Sequence, residues 1–269
     1  MTADPSGRPP LDAARLVDHQ VEVVEEAGST NVLVAERARA GGPEGLVILA
    51  EHQTAGRGRL DRTWETPPRS ALTFSVLLRP TVPAASWPWL PLLTGYEVSK
   101  ALRAAGFEAS VKWPNDVLLG DRKVAGILVE RVETPSGPAA VIGIGLNVGM
   151  TADELPVAEA TSLAVEAGTE VRAQRASKAA VPDRTDLLGL LLDTLWEGYV
   201  VWQEGGDAAA EHLAASYAGA CSTIGRQVRV ELPSGEVLVG TATGIDPSGR
   251  LEVDGTAVSA GDVVHVRSE

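Results

Sequence analysis

The chain has 269 residues, of which 44% are hydrophobic and 22% are charged, as in ordinary soluble globular proteins. No apolar run reaches the roughly 20 residues of a membrane-spanning helix, and the first residues lack the pattern of a secretory signal. The net charge of −13 argues against non-specific nucleic-acid binding, which needs a basic surface. The single cysteine, Cys221, excludes an intrachain disulfide. We expect a cytoplasmic protein with one large and one small domain.

The first part of the chain alternates helix and strand patterns. We expect residues 1–20, rich in proline and charged side chains, to form an irregular lead-in. Ser29, Thr30 and Asn31 have the composition of a helix N-terminus, because short polar side chains cap free backbone N–H groups. The next predicted elements, separated by polar and glycine-bearing loops, are strands at 46–53 and 71–78 and a helix at 87–105.

The second part begins with strand patterns and ends in a β-rich segment. Strands are predicted at 110–119, 123–132 and 139–149, an exposed connection at 168–182, and helices at 186–203 and 207–217. After Cys221, short alternating strands separated by glycine turns predict a small all-β barrel. The chain is therefore predicted to be an α+β protein with a large domain at 21–221 and a small domain at 222–269.

A cluster of glycine and arginine, Gly56-Arg57-Gly58-Arg59, directly follows the strand at 46–53. Glycines let backbone amides approach a ligand closely, and two guanidinium groups can bind carboxylate or phosphate. The alternative interpretation is a solvated basic turn, since surface arginines are common. The motif by itself leaves both interpretations open.

Lys112 opens the motif KWPND and lies within an apolar strand pattern. A lysine that faces inward needs a partner, and a phosphate or a ligand carboxylate would provide one. Alternatively, Lys112 reaches solvent from an edge strand, Trp113 lies in the core, and the residues from Pro114 to Asp116 form an ordinary turn. Taken alone, the motif favours this second interpretation slightly.

A third motif, Gly143-Ile144-Gly145-Leu146-Asn147, alternates glycine with apolar residues. Its spacing and the later Pro156 do not fit a dinucleotide-binding turn, and the chain has no GxxxxGK[ST] loop. Glycines in a strand allow a flat ligand to lie against the backbone. The four histidines show no metal-ligand spacing, and Cys221 is better explained as a small buried residue than as a nucleophile.

The order of the motifs resembles that of the biotin protein ligase family over roughly residues 21–267. The resemblance rests on GSTN, AEHQTAGRGRLDRTW, KWPNDVLLGDRKVAGILVE and IGIGLNV, in this order. It implies a ligase domain like that of class II aminoacyl-tRNA synthetases, with a mixed sheet and helices on one face, and an SH3-like C-terminal domain. It also implies that ATP, biotin and Mg²⁺ are used to make biotinyl-5′-AMP and to biotinylate a lysine of a carrier domain.

The resemblance assigns roles to residues at each motif. The catalytic residues would be Lys112, Arg57 and Arg59. The biotin site would consist of Ser29, Thr30, Asn31, Gln53, Gly56, Arg57, Gly58, Arg59, Lys112, Gly143 and Gly145. The nucleotide site would consist of Arg59, Trp64, Lys112, Asn115, Lys123 and Asn147, with the Trp64 ring stacked on adenine. The metal ligands stay unknown.

Two features depart from the family pattern. About twenty residues precede the ligase domain, too few for the DNA-binding domain of bifunctional members, so we expect a monofunctional enzyme. Leu60 and Asp61 stand where small or basic residues are common. The expected partners are carrier domains of biotin-dependent carboxylases, with neither nucleic acid nor membrane, and a monomer is preferred. The alternatives are a lipoate-type ligase and a non-catalytic binding protein.

Overall fold

The computed structural model describes residues 7–60, 62–168 and 180–266, so most of the predicted connection at 168–182 lies outside the described residues. The helices are α1 Thr30–Arg39, α2 Leu90–Ala104, α3 Leu163–Gly168, α4 Arg184–Glu204 and α5 Gly206–Ala220. The strands are β1 Val21–Ala27, β2 Val47–Gln53, β3 Ala71–Leu78, β4 Ala109–Lys112, β5 Asp116–Leu119, β6 Arg122–Thr134, β7 Gly137–Asn147, β8 Gln227–Glu231, β9 Val237–Ile245, β10 Leu251–Val253, β11 Thr256–Val258 and β12 Asp262–His265. None of the helices in these ranges is long and apolar enough to cross a membrane.

Seven strands form one mixed sheet in the order β1-β2-β3-β7-β6-β5-β4. β1 and β2 run parallel, and the other neighbours run antiparallel. The centre of the sheet is the long pairing of β6 with β7, in which Gly126 lies opposite Gly145 and Leu128 opposite Gly143. Because side chains alternate between the faces of a strand, these residues belong to one face of the sheet.

Helices cover both faces of this sheet, which corrects the expectation of helices on one face. The larger core packs α2 and α4 against one face, with Phe74, Ile142 and Trp113 among its members. On the other face, Val34 and Ala38 of α1 pack against Ile48, Leu77 and Val141. The apolar contacts of α1 cover this face only in part, because the adjoining positions of β6 and β7 are glycines.

The small domain is a five-stranded antiparallel sheet in the order β11-β10-β9-β8-β12. Val228 and Val253 belong to the same core cluster as the apolar side chains of α2 and α4. Two buried indole groups also cross the boundary, since Trp113 Nε1 donates to Gly249 O at 3.0 Å and Trp89 Nε1 donates to Pro247 O at 2.8 Å. The two domains therefore share one continuous apolar core.

The segment predicted as one strand at 110–119 is a hairpin of β4 and β5. Trp113, Pro114 and Asn115 form its turn, because proline offers no N–H to a ladder and Asn and Asp favour turns. Trp113 is 1% exposed and lies in the core. β4 is at the edge of the seven-stranded sheet. This arrangement agrees with the edge-strand interpretation of the KWPND motif.

The described part of the N-terminal lead-in, residues 7–20, has one short 3-10 turn at Ala13–Arg15 and is otherwise irregular, but it packs against the domain. Leu11 and Leu16 are buried in the larger core. The Leu11 backbone N–H donates to Glu51 Oε1 at 2.6 Å, and Glu51 in turn is paired with the buried Arg184 at 2.6 Å. Buried charged groups need hydrogen-bond or ion-pair partners. The N-terminal segment supplies one to the buried Glu51, which the composition did not indicate.

Candidate functional site

The glycine positions of β6 and β7 form the floor of a cavity of about 120 Å³ beside α1. Twelve of the predicted site residues line it, together with residues that the motifs did not indicate. The predicted ones are Ser29, Thr30, Asn31, Gln53, Arg57, Gly58, Arg59, Trp64, Asn115, Lys123, Gly143 and Gly145. Gly56, Lys112 and Asn147 do not line this cavity.

The indole of Trp64 lies across the glycine floor. A Cβ on Gly145 would come within 2.4 Å of Trp64 Cε2, and a Cβ on Gly126 within 3.2 Å of Cζ3. The ring nitrogen Nε1 is buried and has no hydrogen-bond partner among the described residues. Lys123 Nζ lies 5.7 Å from the ring centroid, within the range of a cation–π contact. The two glycines therefore make room for an aromatic wall.

Polar side chains from α1, β2 and β3 form a cluster at the cavity. Thr30 Oγ1 lies 3.1 Å from Gln53 Oε1 and 2.7 Å from Ser75 Oγ. Ser75 Oγ donates to Asn31 Oδ1 at 2.6 Å. Asn31 lies directly over Gly143, where a Cβ would come within 2.2 Å of Oδ1. This glycine therefore makes room for the Asn31 amide, and the cluster can bind a compact polar group.

Residues 56–58 of the glycine–arginine motif lie antiparallel to residues 62–64 in a narrow hairpin. The Trp64 N–H donates to Gly56 O at 2.9 Å, and the Gly58 N–H donates to Arg62 O at 2.7 Å. Gly56 is required by this close approach, because a Cβ there would lie 2.3 Å from Trp64 O. The hairpin thus places Arg57, Arg59 and the Trp64 ring at one cavity. Gly56 does not line the cavity but holds the hairpin together through its hydrogen bond with Trp64.

Four cations, Arg57, Arg59, Lys123 and Arg62, line the cavity, and each has a different partner. Arg57 Nη2 is 3.1 Å from both carboxylate oxygens of Glu130. Arg59 Nη1 donates to Asn115 Oδ1 at 3.2 Å, and its burial lowers the pKa of the guanidinium from its ordinary value. The third cation is Lys123, whose Nζ is 2.6 Å from Asp116 Oδ1. Such an array favours an anionic ligand such as a carboxylate or phosphate.

Lys112, expected to be the catalytic lysine, lies outside the cavity. It is the last residue of β4 and pairs across the hairpin with Asp116. Its side chain lines a neighbouring groove together with Arg226 and His265 of the small domain. Lys123 lines both the cavity and this groove. Cross-strand pairing places Lys112, Asp116 and Gly126 in one row on the same face of the sheet, so Lys112 lies beside Asp116 at the border of the cavity. The catalytic role expected of Lys112 stays a prediction.

Asn147 is buried behind the site and acts on the backbone of Lys123 rather than on the cavity. Its Nδ2 donates to Thr161 O at 2.9 Å. The segment from Glu159 to Thr161 pairs with Lys123, since Lys123 N donates to Glu159 O at 2.7 Å and Thr161 N donates to Lys123 O at 2.8 Å. The arrangement holds Lys123 in place from its backbone side.

Sequence reasoning missed several residues of the site. Gly126 lies in the motif KVAGIL, so its spacing from the lysine was a usable signal. Asp262, which lines the cavity from the small domain, had no signal, because more than a hundred residues separate it from even the nearest of the other motifs. Ser75 and Glu130 also contact the polar cluster, but a serine or a glutamate in an alternating strand resembles any other polar position.

Comparisons with known proteins agree with this geometry. Residues 25–147 match the model of the biotin/lipoate A/B protein ligase family, and residues 223–266 match that of the biotin protein ligase C-terminal domain. The biotin–[acetyl-CoA-carboxylase] ligase of Mycobacterium tuberculosis is 40% identical over 97% of each chain. The bifunctional ligase/repressor BirA of Escherichia coli is 33% identical over 78% of this chain and 63% of its own length. The structure of a biotin protein ligase from Aquifex aeolicus, in complex with biotin and ATP, has a TM-score of 0.75 at 26% identity and covers 93% of this chain and 99% of its own.

Proposed function

The chain belongs to the biotin/lipoate A/B protein ligase family, and from this premise we propose how its cavity acts on biotin and ATP. The enzyme is a biotin–[biotin carboxyl-carrier protein] ligase, which forms biotinyl-5′-AMP and then biotinylates a carrier lysine. The predicted family and the α+β fold with a small C-terminal β-domain are confirmed. The observation that carries the proposal is one cavity that joins a polar cluster to Arg59 and Lys123.

In the first step a carboxylate oxygen of biotin attacks the α-phosphorus of ATP. The bond from that phosphorus to the bridging oxygen breaks, and pyrophosphate leaves. Negative charge on the phosphoryl oxygens is neutralised by Lys123 and Arg59, which the cavity holds in fixed positions. The polar cluster of Thr30, Asn31 and Gln53 binds the ureido ring at the far end of the same ligand. Trp64 forms the wall beside the reacting carboxylate or the nucleotide.

Magnesium is implied by the use of ATP. Among the residues that the structure describes, no three His, Cys, Asp or Glu side chains are grouped to hold a metal ion. This fits Mg²⁺ on a nucleotide, whose ligands are mostly phosphate oxygens and water, with one or two carboxylates. Asp116 lines the cavity and would supply such a carboxylate. The ion would supply further positive charge to the phosphates.

In the second step the ε-amine of a carrier lysine attacks the carbonyl carbon of biotinyl-5′-AMP. The carbon–oxygen bond to the phosphate breaks, AMP leaves, and the amine loses a proton. The partner is a carboxylase carrier protein, as the name of the mycobacterial relative indicates for that protein. The finer expectations about partners stay predictions: that the protein binds neither nucleic acid nor a membrane, and that it is a monomer. Its cytoplasmic location stays a prediction as well.

The test is a two-stage assay with the full chain. Pyrophosphate release is measured with Mg²⁺-ATP and biotin, with lipoate as the competing acid, and transfer is then measured with a carrier domain and its lysine-to-arginine variant. We expect release with biotin, little with lipoate, and labelling of the lysine-bearing carrier alone. Release with lipoate at an equal rate would make the chain a lipoate-type ligase. Binding without release would make it a non-catalytic protein.

A further inference from the structure

Glu130 lies behind the polar cluster and contacts two members of the site at once. On β6, its Oε2 accepts a hydrogen bond from Asn31 Nδ2 at 2.6 Å, and both of its oxygens lie 3.1 Å from Arg57 Nη2. The side chain is 33% exposed and does not line the cavity itself. Glu130 therefore acts on the site through its neighbours.

Two acceptors fix the orientation of the Asn31 amide, since Nδ2 donates to Glu130 Oε2 at 2.6 Å and, at the longer distance of 3.4 Å, to Leu128 O. An ionised carboxylate only accepts hydrogen bonds, so the amide nitrogen must face it. The oxygen Oδ1 then faces Ser75 and the glycine floor, where it accepts from Ser75 Oγ at 2.6 Å. The reversed amide would place Oδ1 against a carboxylate oxygen and leave both without a donor.

Gln53 is oriented in a similar way from the other end of the cluster. The backbone N–H of Thr30 donates to Gln53 Oε1 at 2.8 Å. A backbone N–H only donates, so the amide oxygen of Gln53 must face Thr30. The cluster therefore presents two amide oxygens inward, one from Asn31 and one from Gln53.

Two hydroxyl groups lie between these amide oxygens, and they carry too few protons for the contacts they make. Thr30 Oγ1 contacts Gln53 Oε1 and Ser75 Oγ, and Ser75 Oγ contacts Asn31 Oδ1, at 3.1, 2.7 and 2.6 Å. Each hydroxyl has one proton, so three close oxygen–oxygen contacts share two protons. Such a cluster lacks a donor and favours a ligand that brings N–H groups.

We propose that Glu130 is a positioning residue for biotin: it fixes the Asn31 amide so that the cluster offers acceptors to the ureido N–H groups. This inference rests on the proposed function. It also gives the exposed Arg57 a role, because its contact with both carboxylate oxygens holds Glu130 in position beside Asn31. The recognition of the ligand then depends on a residue that does not touch it.

The first test replaces Glu130 with glutamine, which has the same size but can donate as well as accept. The Asn31 amide then loses its charged acceptor and keeps the longer contact with Leu128 O, so its orientation is less firmly fixed. We expect the Kd for biotin to rise about tenfold, the effect of one charge-assisted hydrogen bond. The KM for ATP should change by less than about twofold, since no phosphate contact is lost. The matched control is Glu133→Gln on the same strand, whose side chain is 71% exposed and paired only with Arg131.

The second test reverses the polarity of the pair. Asn31→Asp sets two carboxylates against each other, and we expect the Kd for biotin to rise about a hundredfold. Adding Glu130→Gln supplies a donor to that new carboxylate and keeps an acceptor at the cluster. The double variant should therefore bind biotin with a Kd about tenfold lower than that of Asn31→Asp. Arg57→Gln removes the ion pair with Glu130 together with one positive charge of the cavity, so its effect is read from the Kd for biotin beside that of Glu130→Gln. Folding of each variant is checked by circular dichroism.

The outcomes distinguish this inference from the proposed function. A double variant that binds biotin no better than Asn31→Asp, or a Glu130→Gln protein with the wild-type Kd, overturns the positioning role and leaves the ligase function intact. A wild-type protein that does not bind biotin at all refutes the function itself.

Discussion

Arg62 in the hairpin donates hydrogen bonds to Asp262, the first residue of β12, and so joins a wall of the cavity to the small domain. Arg62 Nη1 lies 3.3 Å from Asp262 Oδ1, and Nη2 contacts the other oxygen. Both residues line the cavity. The side chain of Arg62 is 63% exposed, so the pair adds little to global stability and serves to hold the hairpin in position.

Breaking this pair should impair substrate binding more than folding. We expect Asp262→Asn to raise the KM for ATP or biotin about threefold, the effect of one exposed ion pair. The exchanged pair, Arg62→Asp with Asp262→Arg, should return the KM to its wild-type value in steady-state assays. Arg37→Gln breaks the exposed ion pair of α1 with Glu22 and is the control. If the KM of the exchanged protein rises by as much as the two single substitutions raise it together, a direct contact between these residues is ruled out.

Lys123 and Lys112 should differ sharply when each is replaced by glutamine. Lys123→Gln removes the ammonium from the cavity, and we expect adenylate formation to slow by about a hundredfold or more. Lys112→Gln removes a charge from the neighbouring groove, beside Asp116, so we expect a smaller fall in its rate, of about threefold. Single-turnover pyrophosphate release measures both. The reverse order of effects would return the catalytic role to Lys112.

Gly145→Ala should displace Trp64 from the cavity. The added methyl group would overlap the indole at 2.4 Å, and relief of such an overlap typically costs about 1–3 kcal/mol. We expect a lower Tm and weaker biotin binding by calorimetry. Gly149→Ala is the control, because the nearest atoms to its Cβ are 3.8 Å away. Equal effects of the two substitutions would show that the Trp64 contact is unimportant.

His265 should make the protein less stable in mild acid. Burial, and then the positive charges of Lys112 and Arg226, lower the pKa of His265 to about 4. The unfolded chain therefore binds the proton first as the pH falls. The contribution of His265 to the free energy of unfolding is complete above its ordinary pKa of about 6.5 and is lost as the pH falls toward 4. The Tm of His265→Gln, measured from pH 7 to 4, should fall less steeply than that of the wild type. Parallel curves would contradict the assignment.

Local chemistry made much of the protein predictable from its sequence. The helix α4 follows from leucines at helical spacing, and the strands β2, β3 and β7 follow from short apolar runs bounded by turn residues. The polar residues at the start of α1 and the arginines of the hairpin were singled out because their chemistry is unusual at those positions. They do line one cavity. The site roles assigned to them stay predictions.

What the tertiary structure decided is which of these residues meet. Lys112 and Lys123 are equivalent by composition, and only the order of the strands places the first at the sheet edge and the second at the cavity. Asp262 enters the site because the small domain packs on the ligase domain, a contact between residues far apart in the chain. Spacing along a chain reports only neighbours within one element. Contacts between elements depend on sheet order and packing, which no local pattern encodes.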